Sequence, residues 1–350
     1  MKIQENTALA PLTTLRVGGP ARYFAEAHRE EEVCEAVDFA RTRNLPLFIM
    51  GGGSNLLISD SGWPGLVLHV ALGGLTSVAA GDAVLFTVGA GHGWDAFVAL
   101  AVSQNCAGVE CLSGIPGSVG GTPVQNVGAY GQEVAETIES VYALDTREDR
   151  IVTLPCPVCR FRYRASIFNT EERARYVVLR VNYRLRRGGA PNLKYADLQK
   201  RFTAAAAKTP PSLSTVREAV LELRRAKGML LVAGDPDSRS AGSFFKNPVL
   251  TPAKFAELSA RAASKGLSIP SYPGLDAQAK VSAAWLVEHS GFAKGFCLGN
   301  AGISSKHALA LINTGSAQAS DLIRLKETIQ QRVLDEWGIL LDPEPVFVGF

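Results

Sequence analysis

Long apolar runs are scarce in this sequence, and so are the cysteine patterns of secreted proteins. No stretch of the 350 residues approaches the ~18 consecutive apolar residues of a membrane span. The first residues, MKIQENTALAPLTT, lack the continuous apolar core of a signal peptide. The six cysteines are irregularly spaced and form no disulfide framework. We therefore expect a soluble, cytoplasmic protein without membrane insertion.

Metal-ligand spacings and a strong excess of charge are also missing. Cys156 and Cys159 form one C-x-x-C with no second pair to complete a zinc site, and no two of the five histidines stand at helical metal-ligand spacing. A metal site is therefore not expected. The formal net charge of +3 is too small in a chain of 350 residues to indicate a nucleic-acid partner.

The composition is that of a core-forming protein, with 47% hydrophobic and 20% charged residues, and the length fits two or three domains. Changes in pattern along the chain divide it into three lobes. We predict a first lobe over 1–72, a second over 73–208 that is rejoined by 338–350, and a third over 209–337. The stretch AAAAKTPPS, from about residue 206, is predicted to be a linker between the second and third lobes.

The local patterns differ among the three lobes and indicate the α+β class. In the first lobe, strands at RYFAEA and LPLFIM flank a helix whose apolar stripe is Val33, Ala36, Val37 and Ala40. In the second lobe, strands outnumber helices, which predicts a largely antiparallel sheet. In the third lobe helices dominate: one follows the N-cap Thr251, one is KVSAAWLVEHSG, and the last carries the stripe Leu322, Leu325, Ile329, Val333 and Trp337.

Two glycine-rich loops are the first indication of function. GGGSNLL (51–57) follows a predicted strand, and SGIPGSVGGTPVQNVGAYG (113–131) holds six glycines. Consecutive N–H groups in such turns suit phosphate oxygens. Neither loop is a G-x-G-x-x-G, since Leu56 stands where the last glycine is needed, and no P-loop motif occurs. Two such loops suit the diphosphate of a dinucleotide, although spacing alone leaves FAD, NAD and a purely structural role open.

Five ordered segments are more specific than either loop alone. They are the two glycine loops, CRFRYRASIF (159–168), AGSFFKNP (241–248) and LLDPEPVFVG (340–349). In this order they resemble the UDP-N-acetylenolpyruvoylglucosamine reductase family, and the resemblance runs nearly end to end. The segment LKYADL (193–198) further resembles the form of the family that carries an extra tyrosine-bearing substrate loop.

The resemblance implies a three-lobed FAD-binding fold of the vanillyl-alcohol-oxidase type, with a separate lobe for the substrate. It implies non-covalent FAD, NADPH as the hydride donor, and a UDP-sugar substrate. The reaction implied is reduction of UDP-N-acetylglucosamine enolpyruvate to UDP-N-acetylmuramate, a step of peptidoglycan precursor synthesis, in a monomeric cytoplasmic enzyme.

Three residues are implied to be catalytic by their positions in these segments: Arg164, Ser243 and Glu344. Ser243 is the implied proton donor, whereas Arg164 and Glu344 act on the substrate carboxyl group. If 241–248 is a strand, its alternation places Ser243 and Asn247 on one face and Phe244 on the other. A serine that only caps a turn beside a core Phe-Phe pair remains an alternative.

Two further arginines compete with Arg164 for its role. Arg160 and Arg162 lie four and two residues earlier and share its face if the segment is extended. For Glu344, the alternative is an exposed acid near the C-terminus. The prolines on both sides of this glutamate favour a stiff, extended backbone that aims the carboxylate.

The binding residues are carried over from the same segments. The predicted cofactor-binding residues are Gly51, Gly52, Gly53, Ser54, Asn55, Leu56, Gly114, Ile115, Pro116, Gly117, Ser118, Val119, Gly120, Gly121, Asn126 and Gly128. The predicted substrate-binding residues are Tyr195, Lys227, Asn247 and Lys280, although either lysine is equally typical of a solvated surface. Two other functions remain open: a different FAD-dependent oxidoreductase on the same scaffold, and a catalytically silent nucleotide-binding or cell-wall scaffold protein.

Overall fold

The computed structural model describes residues 1–204, 210–274 and 276–350. They form two compact units. The first comprises Met1–Thr7, Pro20–Gly53 and Trp63–Ala226, and the second comprises Ala8–Gly19, Ser54–Gly62 and Lys227–Phe350. The centre of the predicted linker and the predicted boundary at 208 lie outside the described residues, and the three-lobe division stays a prediction.

The α-helices of the described residues are α1 (Glu30–Thr42), α2 (Trp94–Ser103), α3 (Ala196–Ala204), α4 (Leu213–Ala226), α5 (Pro252–Ala263), α6 (Ala283–Glu288) and α7 (Ala319–Trp337). The strands are β1 (Ile3–Ala8), β2 (Pro20–Ala27), β3 (Leu47–Met50), β4 (Leu56–Ile58), β5 (Trp63–Val70), β6 (Leu75–Ala80), β7 (Ala83–Gly89), β8 (Cys106–Ala107), β9 (Gly128–Ala129), β10 (Gln132–Glu133), β11 (Ile138–Asp145), β12 (Arg150–Pro155), β13 (Tyr176–Arg187), β14 (Val249–Leu250), β15 (Ser271–Pro273), β16 (Ala279–Val281), β17 (Cys297–Leu298), β18 (Ala301–Ile303), β19 (Leu311–Asn313) and β20 (Val346–Val348). Within the described ranges, every helix is too short or too polar to cross a membrane.

The first unit begins with a small α/β layer. Its four-stranded sheet has the order β1-β2-β5-β3, and β5 runs parallel to both β2 and β3. Parallel strands need a crossover connection, which α1 provides between β2 and β3. The buried side chains of α1 are Val33, Ala36, Val37 and Ala40, which confirms the predicted stripe. The first glycine-rich loop leaves the end of β3.

The second layer of this unit is the predicted antiparallel sheet. Its order is β12-β11-β13-β7-β6, with β8 also paired to β13, and the neighbours are antiparallel. Phe86, Phe97 and Tyr183 are fully buried between this sheet and α2, each contributing ~1.5–3 kcal/mol from apolar burial. The buried Tyr183 hydroxyl bonds to Thr122 Oγ1 (2.7 Å) and so connects the sheet to the second glycine-rich loop.

The second unit combines helices with short antiparallel sheets, β14-β16-β15 and β17-β18-β19. Thr251 Oγ1 accepts the N–H of Lys254 at the start of α5, as its N-cap position predicts. The buried residues of α7 include the predicted stripe Leu322, Leu325, Ile329, Val333 and Trp337. The sequence alone did not indicate the short sheets.

One predicted helix of this unit begins later than expected. KVSAAWLVEHSG starts with Lys280 and Val281, which belong to β16 and not to a helix. The helix α6 begins at Ala283, because the Ser282 hydroxyl accepts the N–H of Trp285 (3.3 Å) and caps the first turn.

The predicted partner of the last strand is wrong. We expected 338–350 to rejoin the sheet of 73–208, but β20 pairs in parallel with β4, with Phe347 opposite Leu57. The physical reason is burial: Leu57 and Val348 are buried, and Phe347 packs on the core that contains Leu57 and the pair Phe244 and Phe245. This pairing brings the C-terminal segment next to residues 55–58.

Candidate active site

The two glycine-rich loops lie against each other in the first unit. The N–H of Gly52 donates to Ser118 Oγ (3.2 Å). A Cβ added to Gly52 would lie 2.7 Å from the Cα of Gly117, and one added to Gly51 would lie 2.7 Å from Ser118 Oγ. A side chain at 52 therefore prevents this approach of one backbone to the other, whereas one at 51 displaces the Ser118 hydroxyl. The structure brings together the parts of both loops that belong to this unit.

The start of the second loop is held by a half-buried ion pair. Asp95, in the first turn of α2, accepts the N–H of Gly114 (2.6 Å) and forms a bidentate pair with Arg217 of α4 (2.6 and 2.8 Å). Burial raises the pKa of Asp95, but the bonds from Arg217 and Gly114 outweigh burial and bring the pKa below its usual range. The carboxylate is therefore charged at neutral pH and keeps the loop entrance fixed.

The middle of the second loop is fixed by its own backbone. Val119 N–H donates to His92 O (2.9 Å), and Gly120 N–H donates to Ala90 O (2.8 Å). The Val119 side chain is buried in the core, so only its backbone is available to a ligand. Around Gly121, by contrast, a Cβ would meet nothing within 4 Å. Ile115, Pro116 and Gly117 are half-buried.

Asn126 holds the end of the second loop. It is buried with φ +45°, and its Nδ2 donates to Glu133 Oε2 (2.7 Å) and to Arg162 O (3.1 Å). Its Oδ1 accepts the N–H of Ala135 (3.1 Å). These bonds give the side chain a structural role within the loop. A direct contact with the cofactor stays a prediction.

Arg164 lies in a tight turn and not in a strand. Arg162 and Ala165 exchange backbone hydrogen bonds (2.9 and 3.1 Å), and Arg164 has φ +54°. The extended segment that would have put three arginines on one face is therefore wrong. Arg164 Nη2 donates to the carbonyl of Gly128 (2.7 Å), which anchors the guanidinium to the second glycine loop.

The two rival arginines have different surroundings. Arg162 is exposed and pairs with Glu171 (3.0 Å). Arg160 is exposed, has φ +47° and ends a 3-10 turn. Of the three, Arg164 is the half-buried arginine held on the predicted cofactor loop, which favours it over both rivals.

In the second unit, the segments that carry Ser243 and Glu344 run side by side. The N–H of Glu344 donates to Phe244 O (2.8 Å), and Lys246 N–H donates to Asp342 O (2.9 Å). Ser243 is half-buried and precedes Phe244 directly; Glu344 is half-buried too. The structure thus brings two of the three predicted catalytic residues together. Their meeting with Arg164, which belongs to the first unit, stays a prediction.

The predicted strand alternation over 241–248 is wrong. Apart from a single bridge between Phe245 and Pro343, the segment is irregular. Phe244 and Phe245 are both fully buried, 0% and 1% exposed, and their rings pack edge to face at 5.5 Å. The irregular backbone turns both rings into the core, which a regular strand cannot do. The neighbouring Ser243 and Asn247 are left half-buried.

Asn55 has a role that the sequence did not indicate. Gly51–Gly53 belong to the first unit, whereas Ser54, Asn55 and Leu56 belong to the second. Asn55 Nδ2 donates to the carbonyl of Glu344 (3.2 Å), and Asn55 O accepts the N–H of Val346 (2.9 Å). Leu56 lies in β4, and Ser54 O accepts Thr14 Oγ1 (3.3 Å). A residue predicted to bind cofactor therefore also holds the backbone of a predicted catalytic residue.

The predicted substrate-binding residues lie on several elements. Asn247 Oδ1 accepts the N–H of Ala283 at the start of α6 (2.9 Å), and Lys280 lies in β16. Tyr195, in the first unit, immediately precedes α3. Lys227 begins the last and longest segment of the second unit, Lys227–Phe350.

The pKa of one histidine of the second unit is affected by Lys227. Burial, and then the charges of Lys227 and Lys294, lower the pKa of His307 to about 4. The neutral ring accepts the N–H of Leu309 at Nδ1 (3.0 Å). Within the described parts of the chain, no cluster of three or more His, Cys, Asp or Glu residues is arranged to hold a metal ion.

Comparisons with known proteins agree with this geometry. A family model described as FAD binding domain matches residues 21–154, and one described as UDP-N-acetylenolpyruvoylglucosamine reductase, C-terminal domain, matches residues 235–348. The chain is 44% identical to the UDP-N-acetylenolpyruvoylglucosamine reductase of Thermobifida fusca over 98% of this chain and 97% of that protein. It is 45% identical to that of Streptomyces coelicolor, over 97% and 89%.

A solved structure with a similar fold agrees as well. The UDP-N-acetylenolpyruvylglucosamine reductase from Thermus caldophilus superposes with a TM-score of 0.67 at 25% identity, covering 99% of both chains. The matched range 21–154 contains both glycine-rich loops. The predicted α+β FAD-binding fold and the FAD cofactor are therefore confirmed.

Proposed function

Because the chain belongs to the UDP-N-acetylenolpyruvoylglucosamine reductase family, we propose that it reduces UDP-N-acetylglucosamine enolpyruvate to UDP-N-acetylmuramate, with NADPH as the hydride donor. This is a step of peptidoglycan precursor synthesis. The observation that carries the proposal is the match of 44% identity along 98% of the chain. The contact between the two glycine-rich loops supports it, since it sets two turns of the kind that suits phosphate oxygens side by side.

The residues of both loops fit FAD. Gly51 to Gly53 and Gly114 to Gly121 offer backbone that a diphosphate can approach closely, because glycines stand where the chain is tightest or most open. When bound, the flavin supplies the hydride chemistry. What remains for this chain is to hold the two nucleotides in turn, to stabilise negative charge, and to deliver one proton.

Arg164 is proposed to stabilise the substrate carboxylate as charge builds on the adjacent carbon. Its planar, permanently charged guanidinium suits a carboxylate, and its bond to Gly128 O fixes the fork beside the cofactor loop. Ser243 Oγ is proposed to donate its proton to that same carbon. Glu344, whose N–H donates to Phe244 O and whose carbonyl accepts Asn55 Nδ2, is proposed to act on the carboxyl group or to relay the proton.

The remaining residues are proposed to bind the rest of the nucleotide. Tyr195, Lys227 and Lys280 are assigned to the diphosphate and uridine side, and Asn247 to the sugar side next to Ser243. Lys227 and Lys294 both place positive charge near His307, which is compatible with an anionic ligand there. A monomer in the cytoplasm, where NADPH and UDP-sugars are available, completes the proposal.

Two measurements test this function. The purified protein should be yellow, and acid should release free FAD. After the one equivalent that reduces the flavin, NADPH should then be consumed only when UDP-N-acetylglucosamine enolpyruvate is added. A catalytically silent nucleotide-binding or scaffold protein would show no coupling of NADPH oxidation to any sugar nucleotide. NADPH oxidation that is indifferent to this sugar nucleotide would point to the alternative, another FAD-dependent oxidoreductase.

A further inference from the structure

A buried carboxylate that the reaction does not use lies just before the second glycine-rich loop. Glu110 is 0% exposed. Its Oε2 accepts the N–H of Gly108 (2.8 Å), and its Oε1 accepts Gln132 Nε2 and the N–H of Asn192 (2.8 Å each). A carboxylate in such a place is costly unless donors satisfy it. The three donors must therefore keep their positions for as long as Glu110 stays buried.

The hydrogen bond between Glu110 and the Asn192 N–H connects the carboxylate to the tyrosine-bearing segment. Asn192 makes several other hydrogen bonds. Asn192 O accepts Cys111 Sγ (3.2 Å), and Asn192 Nδ2 donates to Gly131 O (2.9 Å). The segment 190–194 lines a groove of about 790 Å³ together with Glu110 and Gln132. One face of the segment borders this open space and is held there by hydrogen bonds, while Leu193 packs against the apolar cluster that contains Cys111 and Leu198.

Tyr195 follows Asn192 by three residues, and its ring also contacts the second glycine-rich loop. Its ring packs edge to face on Tyr130, with the ring centroids 5.1 Å apart. Tyr130 itself precedes Gly131, whose carbonyl is bonded to Asn192. The bonds that centre on Glu110 therefore act on the Tyr195 ring together with its packing on the apolar cluster that contains Cys111 and Leu198.

We propose that Glu110 is a positioning residue for the sugar-nucleotide substrate, acting through Asn192 on Tyr195. The inference rests on the proposed function, in which Tyr195 contacts the diphosphate side of the substrate. Glu110→Gln keeps the size of the side chain but turns an acceptor oxygen into an N–H₂ that faces a donor. Losing one such bond loosens the segment that leads to Tyr195.

The test is a double-mutant cycle on the holoenzyme with Glu110→Gln and Tyr195→Phe. We expect E110Q to raise the KM for UDP-N-acetylglucosamine enolpyruvate about 5–10-fold, without changing flavin reduction at saturating NADPH. In the Y195F background the same change should alter KM less than about twofold, because the group through which it acts is gone. An equal KM effect in both backgrounds, or no effect in either, overturns the proposal.

Two further variants serve as a control and as a replacement for E110Q. Glu136→Gln changes an exposed glutamate that lines the same groove, and its KM should equal that of the wild type. If E110Q fails to fold, Asn192→Ala replaces it in the cycle, since that change removes the side-chain bonds to Gly131 O and from Lys194 N–H and leaves the carboxylate bonds of Glu110 in place. Additive effects of Asn192→Ala and Tyr195→Phe would overturn the proposal equally.

Failure of the proposed function has a different signature. A wild-type enzyme that does not turn over the sugar nucleotide contradicts the reaction and not the role of Glu110. Titration of the same proteins with UDP, followed by the flavin absorbance spectrum, then measures the coupling between Glu110 and Tyr195 directly. Coupling of the two changes in UDP affinity supports the positioning role, and independence contradicts it.

Discussion

The two regions that carry the predicted site are fixed in different ways. In the first unit, side chains reach the backbone of the loop 113–131: Asp95 holds Gly114, and the Asn126 amide closes the loop on Ala135. In the second unit, the segments of Ser243 and Glu344 bond to each other through their backbones. Phe244 and Phe245 anchor one of these segments in the core.

The difference indicates which substitutions each region tolerates. A loop that presents its N–H groups to an anion must keep its backbone in place, so it depends on small residues and on buried polar side chains. A region that presents side chains to a reacting carbon must keep those side chains and can draw its rigidity from packing. A substitution in one region should therefore impair that region and leave the other unchanged.

The largest effect is expected at Ser243. Ser243→Ala removes the proposed proton donor, so turnover of the sugar nucleotide should fall about 10²–10⁴-fold, while NADPH still bleaches the flavin. Stopped-flow absorbance of each half-reaction measures both. Ser240→Ala, which removes a hydroxyl three residues earlier, is the control. Loss of both half-reactions in S243A would contradict the assignment of Ser243.

A similar but smaller loss is expected at Arg164. Arg164→Lys keeps the charge and loses the planar fork, so kcat/KM for the sugar nucleotide should fall about 10²–10³-fold. Arg162→Lys is the control, because Arg162 pairs with Glu171 on the exposed surface and such pairs contribute ~0–1 kcal/mol. If R162K proves the more damaging of the two, the rival arginine is the catalytic one.

The contact between the loops can be broken without touching a polar group. A methyl group at Gly52 would lie 2.7 Å from Gly117 Cα, so Gly52→Ala should cost about 1–3 kcal/mol and weaken FAD binding at least tenfold. Reconstitution of the apoprotein, followed by flavin fluorescence, measures the affinity. Gly73→Ala meets nothing within 4 Å and should bind FAD normally. Equal FAD affinity for both variants would show that the loops need not touch.

Acid should destabilise the second unit before the first. The folded-state pKa of His307, about 4, lies below its ordinary 6.5, so its contribution is complete above pH 6.5 and is lost as pH falls toward 4. Between pH 7 and pH 5 this amounts to about 2 kcal/mol at most. The pKa of Asp95 in the first unit is lowered from 3.8, so its contribution persists throughout that range.

Hydrogen exchange resolved by peptide, corrected for the intrinsic pH dependence, separates the two units. Protection of the second unit should fall between pH 7 and pH 5 while that of the first is retained. In His307→Gln, which has no titrating ring, the second unit should keep its protection over the same interval. If that variant loses protection as the wild type does, His307 is not responsible for the acid sensitivity.

The smallest effect is expected at Asn55. Asn55→Ala removes the side-chain bond to Glu344 O, worth about 1 kcal/mol, so reduction of the sugar nucleotide should slow about fivefold. Flavin reduction by NADPH should be unchanged if Asn55 acts through Glu344. A slower flavin reduction would instead favour the original prediction that Asn55 binds the cofactor. Asn300→Ala, at an exposed asparagine of the same unit, is the control.

Local periodicity predicted most of the regular elements. The stripe of α1 and that of α7 follow from apolar residues at helical spacing, and both stripes are buried as predicted. The cap at Thr251 is equally local. These features depend on neighbouring residues, which is why the sequence alone was sufficient for them.

Features that depend on distant partners were not predictable in this way. The segment 241–248 carries a plausible strand pattern, yet burial of both Phe244 and Phe245 overrides it. Arg164 adopts φ +54° in a turn that no glycine or proline announces. The pairing of β20 with β4 joins residues about 290 positions apart and is decided by shared burial in one core. None of these leaves a local signal.

An anaerobic single turnover in D₂O tests the central claim most directly. Enzyme reduced with one equivalent of NADPH is mixed with UDP-N-acetylglucosamine enolpyruvate, and the flavin spectrum and the product are followed together. We predict complete flavin reoxidation by the sugar nucleotide, with one solvent deuterium on the product carbon next to the carboxylate. A flavin that stays reduced until oxygen is admitted would contradict the account.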